Sequence, residues 1–460
     1  MVGQKHSQAV TKKRELERML KSAVEDKNRR YLLWRLGTYY GYIRNPDMFV
    51  LLGHAWNRSG RPGDALSQIR RAIDFVPTDK KSILLNMMAS LYASENEQAK
   101  SREIYEDVLS RNERDHDALI GLMRLELMDG NTAKALEYLQ RAAENAGDGR
   151  RAKVEQAMVA MMKGELPKAK DILRKLTDAE QKDMQVWSLL AAVTMQQVDA
   201  AKTDQEREAL VKELEQQIVP SMEKRAQDQF DYHVQATKGF LLLRKGESRR
   251  RDARDAFVTA AKARPDIVAT QDLVLGLDIS LDDKEHAEQQ AREVLRRNRK
   301  APLANYVMGS LALGRGKYAE AEAYLRQAAD APQPVVLAMN DLAEVLRRNK
   351  QFAEAERYAR RATEKEPRLY VAWETLGSIL MDAERNLDEA ETYIRKACQL
   401  SKDKDGRDAD IRMLISLARV QVRRGDLQHA KVTIRKVRAR IGELSEFEKR
   451  EFEEAVKNVR

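Results

Sequence analysis

The stretch Val336–Leu369, VLAMNDLAEVLRRNKQFAEAERYARRATEKEPRL, decides how this chain is read. Its first half places Met339, Leu342, Ala343 and Leu346 at i, i+3, i+4 and i+7, one apolar face of a helix. A polar break follows at Arg347–Gln351. The second half aligns Phe352, Ala355, Ala359 and Ala362 on one face, and Pro367 stops that helix because it cannot donate to the ladder. The unit is a helical hairpin. Neither helix buries its stripe alone, so the hairpin needs copies of itself as neighbours.

Working outward, the copies are present. Aligning on the small residue beside a Leu or Met in the first helix gives starts at 46, 82, 116, 150, 184, 232, 268, 302, 336, 370 and 411, with six spacings of 34 residues. First-helix pairs include Leu52-Gly53, Met88-Ala89, Leu190-Ala191, Met308-Gly309, Leu376-Gly377 and Leu417-Ala418. A second small position recurs twelve residues later, at Ala65, Ser101, Ala135, Ala169, Ala287, Ala321, Ala355 and Ala430. Small side chains are required where helix axes approach to about 8–10 Å. Glycines fall in the turns at Gly60, Gly130, Gly164, Gly316 and Gly425, and Pro77, Pro265 and Pro367 close their units.

These residues resemble the tetratricopeptide repeat, whose pattern is W-x2-L-G-x2-Y followed by A, F, A and P. Val371–Leu380, VAWETLGSIL, keeps Trp373, Leu376 and Gly377; the unit from Pro46 keeps Leu52, Gly53, Trp56, Ala65, Ala72 and Pro77. The resemblance covers roughly residues 46–440. It implies an all-α solenoid of about eleven hairpins, wound as a right-handed superhelix and capped at both ends. The expected parts are a helical cap at 1–45, a five-unit array at 46–231 with an extended fifth unit, a six-unit array at 232–440, and a capping helix at 441–460. In that last segment Ser445 and Glu448 form a capping box, and Phe447, Phe452, Val456 and Val459 form the apolar stripe. Residues 7–27 read as an amphipathic helix, followed by an aromatic cluster, Tyr31, Trp34, Tyr39, Tyr40, Tyr42, Phe49 and Trp56, that suits an end cap or an interface.

Composition agrees with the class and narrows the function. With 83 Lys and Arg against 73 Asp and Glu, the net charge of +10 is modest for 460 residues, because most charges can pair on helix faces. The single cysteine, Cys398, excludes intramolecular disulfides and reads as a buried inert thiol. No apolar run reaches membrane-span length and the first thirty residues lack a secretory leader's apolar core, so the expected location is cytoplasmic, or periplasmic or envelope-associated if a leader has been removed. The six histidines are scattered without metal-ligand spacing, and no phosphate loop, nucleophile elbow or dinucleotide fingerprint occurs. No enzyme, metal or cofactor is expected.

The resemblance implies a ligand groove lined by the second, fifth, ninth, twelfth and thirteenth residues of each unit. In units three to six these positions include Ile120, Arg124, Leu127, Met128, Val154, Met158, Met161, Met162, Met195, Phe240 and Leu243, an apolar, methionine-rich surface suited to an amphipathic or extended apolar segment. In the last three units they include Asn340, Glu344, Arg347, Arg348, Glu374, Arg412, Arg419 and Arg423, a mainly basic surface suited to an acidic segment. No three successive units supply the Lys/Asn, Asn, Lys/Arg set that grips chaperone tails in this family. Two further basic clusters, Arg244 to Arg254 and Arg292 to Lys300, lack interleaved aromatics for base stacking, which disfavours nucleic acid. The expected function is a non-catalytic scaffold that binds a protein or peptide segment, similar to components of bacterial envelope, secretion or pilus machinery. The alternatives are an RNA-binding helical-repeat protein and the regulatory arm of a larger enzyme or sensor.

Overall fold

The computed structural model describes residues 53, 56–57, 61–73, 76, 81–95, 97–147, 149–179, 183–226, 228–402 and 409–457. The expected N-terminal cap with its aromatics up to Phe49, Gly60, Pro77, the Phe447 side chain and Val459 lie outside them. Packing divides the chain into two units, Met1–Asn298 and Arg299–Arg460.

The N-terminal unit holds α1 (Pro62–Ile73), α2 (Lys81–Ser94), α3 (Gln98–Arg111), α4 (His116–Met128), α5 (Thr132–Asn145), α6 (Arg150–Met162), α7 (Leu166–Ala179), α8 (Met184–Ala200), α9 (Asp204–Glu213), α10 (Val219–Arg225), α11 (Tyr232–Arg244), α12 (Arg250–Ala263), α13 (Val268–Ser280) and α14 (Lys284–Arg297). The C-terminal unit holds α15 (Pro302–Gly314), α16 (Tyr318–Ala329), α17 (Val336–Arg348), α18 (Phe352–Lys365), α19 (Tyr370–Asp382), α20 (Leu387–Leu400), α21 (Ile411–Arg424), α22 (Leu427–Ala439) and α23 (Glu446–Val456). The helix starts at 116, 150, 184, 232, 268, 302, 336, 370 and 411 coincide with the unit starts read from the sequence.

The physical reason is visible in the stretch that opened the reading. Met339, Leu342, Ala343, Leu346, Ala355, Ala359 and Ala362 are all fully buried, in one cluster with Leu325 of the preceding repeat and Leu376 of the following one. Each hairpin therefore completes its core with side chains from both neighbours. The second small position is buried in every described repeat that carries it, from Ala65 to Ala430. Closeness is obligatory at the first-helix small residue too: a Cβ on Gly377 would lie 2.6 Å from Ile394 Cγ1 and 2.8 Å from the Ala390 carbonyl.

Aspartates start many helices, accepting backbone N–H bonds at Asp115, Asp183, Asp231, Asp283, Asp410 and Asp426. The Ser445–Glu448 capping box forms as the sequence predicts. In the hairpin turns Gly130, Gly164, Gly316 and Gly425 take positive φ, and Asp282, Lys350 and Glu384 do so without being glycine.

The fifth repeat is longer than the others. The segment around Pro220 is helical as far as Arg225, joined to α9 through a π-helical turn at Leu214–Ile218. Leu214, Ile218, Val219 and Met222 bury against α8 and its neighbours, and that stripe carries the helix past the proline. A wider turn also tolerates the missing proline donor. Lys170 and Arg174 on α7 hold Glu213 at 2.7 and 2.5 Å.

Candidate partner-binding surface

Successive first helices touch one another, α2 with α4 and α8 with α11 in the N-terminal unit, α15 with α17, α17 with α19 and α19 with α21 in the C-terminal unit. These first helices make up the row of each unit that the repeat register assigns to the inner face.

On the N-terminal row, Leu127 and Met128 are 45% and 49% exposed at the end of α4, and Arg124 is exposed one turn earlier. Ile120, Met158 and Met162 are half-buried, packed on one side against Met123, Ala135 and Leu139. Met161 and Val154 rest in the same half-buried way on the next core cluster. Phe240 is exposed on α11, edge-on to the buried Phe257 at a centroid distance of 4.9 Å, and Leu243 packs on the same cluster. Met195 is a correction: it is buried among Leu190, Val193 and Val198, so it belongs to the core. The fifth unit's long second element covers α8, which explains why the repeat rule for exposure fails there.

Between α4 and α6 lies a hollow of about 340 Å³ lined by His116, Asp117, Ile120, Arg124, Arg150, Arg151, Val154, Glu155, Met158 and Gln185. His116 Nε2 pairs with Glu155 Oε1 across it, and Glu155 Oε2 is buried without a hydrogen-bond partner. Sequence reasoning missed this pair, because Glu155 is the sixth residue of its unit, off the groove positions.

On the C-terminal row the expected basic surface is corrected by its counter-charges. Arg347 bonds Glu344 at 2.8 Å and pairs with Asp382; Arg348 bonds Glu344 at 2.7 Å; Arg423 lies 3.3 Å from Asp382; Arg412 bonds Glu448 at 2.9 Å. Burial alone would raise the Glu344 carboxyl, yet the bonds from Arg347 and Arg348 hold it below the usual carboxylate range. Bonds from Ser445, reinforced by Arg412, hold Glu448 down at about 2. Only Arg419 of the five arginines has no ion pair among the described residues. Glu374 accepts from Ser378 and Ser416 at 2.7 and 2.6 Å. Asn340 is buried and donates to Asp341 at 3.2 Å; burial pushes the Asp341 carboxyl up to about 6 against that bond. Asp382 was legible, since it is the thirteenth residue of its unit; Asp341, the sixth, was not.

Most cations of the two other basic clusters are paired in the same way. Arg244 bonds Asp199 at 2.9 Å, Lys245 pairs with Glu215, Arg249 with Asp252 at 2.8 Å, Arg250 with Glu247 at 3.0 Å and Arg254 with Asp283 at 2.7 Å. Arg292, Arg296 and Arg297 bond Glu288 or Glu293 within their own helix at 2.6–2.9 Å.

Other reactive groups are engaged structurally. His233 lies 2.9 Å from Ser188 Oγ, with burial lowering its pKa, and His286 is clamped on buried Asp278 at 2.7 Å beside Arg254. Burial pushes the Cys398 thiol up to about 11, far from a reactive thiolate. Among the described residues no group of three His, Cys, Asp or Glu is placed to hold a metal, and no helix is long and apolar enough to cross a membrane.

Tetratricopeptide-repeat family models match residues 86–150, 126–193, 280–335 and 340–405, together half of the chain. No curated protein sequence matches it. Similar solved structures include the APC/C hetero-tetramer Cut9–Hcn1 (12% identity, 95% of each chain, TM-score 0.44), the type IV pilus biogenesis factor PilW (21%, 48% of this chain and 96% of that one, 0.38) and yeast Tom70 (14%, 97% and 95%, 0.35). With the repeat register, the buried small positions and the family matches in agreement, the chain belongs to the tetratricopeptide-repeat proteins.

Proposed function

We propose that the chain is a non-catalytic scaffold that receives a segment of a partner protein along the inner row of its N-terminal unit. One observation carries this reading. Among the described residues, five exposed large apolar side chains, Ile83, Leu127, Met128, Phe240 and Ile279, stand on first helices of that unit, against Leu337 alone on a first helix of the C-terminal unit. A row of this kind suits the apolar face of an amphipathic helix or an extended apolar segment, with methionine thioethers adapting to its shape. The C-terminal row contributes little net charge, so an acidic tail finds few unpaired arginines there. The internal pairing of the basic clusters also supports a protein ligand over RNA.

The test places a photo-crosslinking residue at Met128, on the inner row, and at Val432, exposed on the second helix α22, and exposes native cell extract to each protein. A partner should crosslink from Met128 alone, survive about 0.3 M salt, and disappear when Leu127 and Phe240 are changed to Glu. Loss of signal at that salt with recovery of RNA would sink the reading, because phosphate-dominated complexes weaken steeply with salt.

A further inference from the structure

The hollow between α4 and α6 combines features that a packed scaffold does not need. Helix α6 opens on Arg150 and Arg151 with Lys153 close behind; it has no acidic residue in its first turn, and its N-cap, Gly149, offers no side-chain acceptor. Cations at a helix N-terminus oppose the positive end of the helix dipole. Asp183 neutralises Arg150, but Arg151 is only 3.8 Å from an exposed Asp117, and Arg124 has neither hydrogen bond nor ion pair among the described residues. Facing these cations, Glu155 is 4% exposed and keeps one carboxylate oxygen without a partner. An unpaired cation and a buried orphan acceptor in one hollow ask for a ligand that brings both an anion and a donor. Ile120, Val154 and Met158 supply an apolar floor beside them.

We infer that this hollow anchors the partner segment by reading an internal acidic residue flanked by an apolar one: the carboxylate meets Arg124, a main-chain N–H of the segment donates to Glu155 Oε2, and the apolar neighbour lies on Ile120, Val154 and Met158. The inference rests on the inner-row reading above and deepens it. Specificity comes from the requirement for both polar groups at once. An anion without an adjacent donor leaves Glu155 unsatisfied, and an amide without an anion leaves Arg124 unpaired.

Fluorescence anisotropy with the full chain tests this, using labelled nine-residue peptide pools with blocked termini. One pool carries a central Glu flanked by Leu, Met, Ile or Phe; the second carries Gln instead; the third carries Gln with a free C-terminal carboxylate. The Glu pool should bind at least tenfold tighter than either Gln pool. Arg124→Gln should erase that preference, and the melting curve should hold because Arg124 makes no hydrogen bond or ion pair among the described residues. Glu155→Gln should weaken the Glu pool several-fold, and Val432→Ser, on α22 and outside the hollow, should spare it. Equal binding of the blocked Glu and Gln pools, abolished by Leu127→Glu with Phe240→Glu, overturns the anchor while leaving the inner-row reading standing. Tighter binding of the free-carboxylate pool replaces it with terminal-carboxylate recognition. Failure of every pool to bind overturns it as well.

Discussion

Adding one methyl group to two helical glycines should move stability in opposite directions. Gly377 in α19 and Gly276 in α13 both sit inside first helices, where Gly→Ala gains about 1 kcal/mol of helix propensity. At Gly276 a Cβ meets nothing within 4 Å, so the gain is kept. At Gly377 it would meet Ile394 Cγ1 at 2.6 Å and the Ala390 carbonyl at 2.8 Å. The isoleucine can turn, but the carbonyl moves only if α20 moves. Overpacking of this kind costs about 1–3 kcal/mol, which cancels or exceeds the propensity gain. Gly276→Ala should therefore stabilise by about 1 kcal/mol, and Gly377→Ala should be neutral to about 2 kcal/mol destabilising. Repeat arrays open locally, so the assay is native-state hydrogen exchange read separately in peptides from α13–α14 and α19–α20. The two variants should differ by roughly five- to 150-fold in opening equilibrium. Equal protection in both would refute the claim that the repeat's small positions are set by helix approach.

Three further outcomes follow from individual side chains. Burial alone pushes the Asp272 carboxyl up to about 6 from 3.8. Its ionisation therefore opposes folding above pH 6, and that penalty fades as pH falls through the window between 6 and 4, where the folded chain binds the extra proton. Asp272→Asn should stabilise by about 1–3 kcal/mol at pH 7.5 and by almost nothing at pH 4, measured as urea midpoints across pH. Lys350 holds φ at 60° in a turn where Gly130, Gly164 and Gly316 hold 71–78°, so Lys350→Gly should raise stability by about 0.5–1 kcal/mol; a loss would mean that the lysine side chain makes a compensating contact. Asp382→Asn should cost about 1 kcal/mol and confer salt-sensitive binding of polyglutamate that the parent chain lacks, measured by calorimetry at two ionic strengths.

The fold was legible because it is specified many times over. Each repeat states the same small and large positions, so an error in one unit is outvoted by its neighbours, and nine helices begin on the residues that spacing alone assigns. Legibility ended where the repetition ended. The helix that runs past Pro220 to Arg225 is held by the stripe Leu214, Ile218 and Met222 packing against α8, a contact that no other described repeat makes in this form.

The surface was half legible for a related reason. Backbone register assigns a position to the inner row, but exposure and free charge there depend on the next repeat. Asp382 reaches Arg347 across 35 residues, which is one repeat plus one, so the two stand side by side on adjacent first helices. Met195 obeys the positional rule and is still buried, since its own repeat carries the irregular second element. A groove read from one repeat at a time therefore overcounts free arginines and exposed methionines. Reading two successive repeats together, with opposite charges sought one repeat apart, cancels Arg347 against Asp382 and leaves Arg419; the same pairing leaves Arg124 unmatched in the N-terminal row. The cations that survive this cancellation are the ones available to a ligand, and Arg124 is the one that shares its hollow with an unsatisfied acceptor.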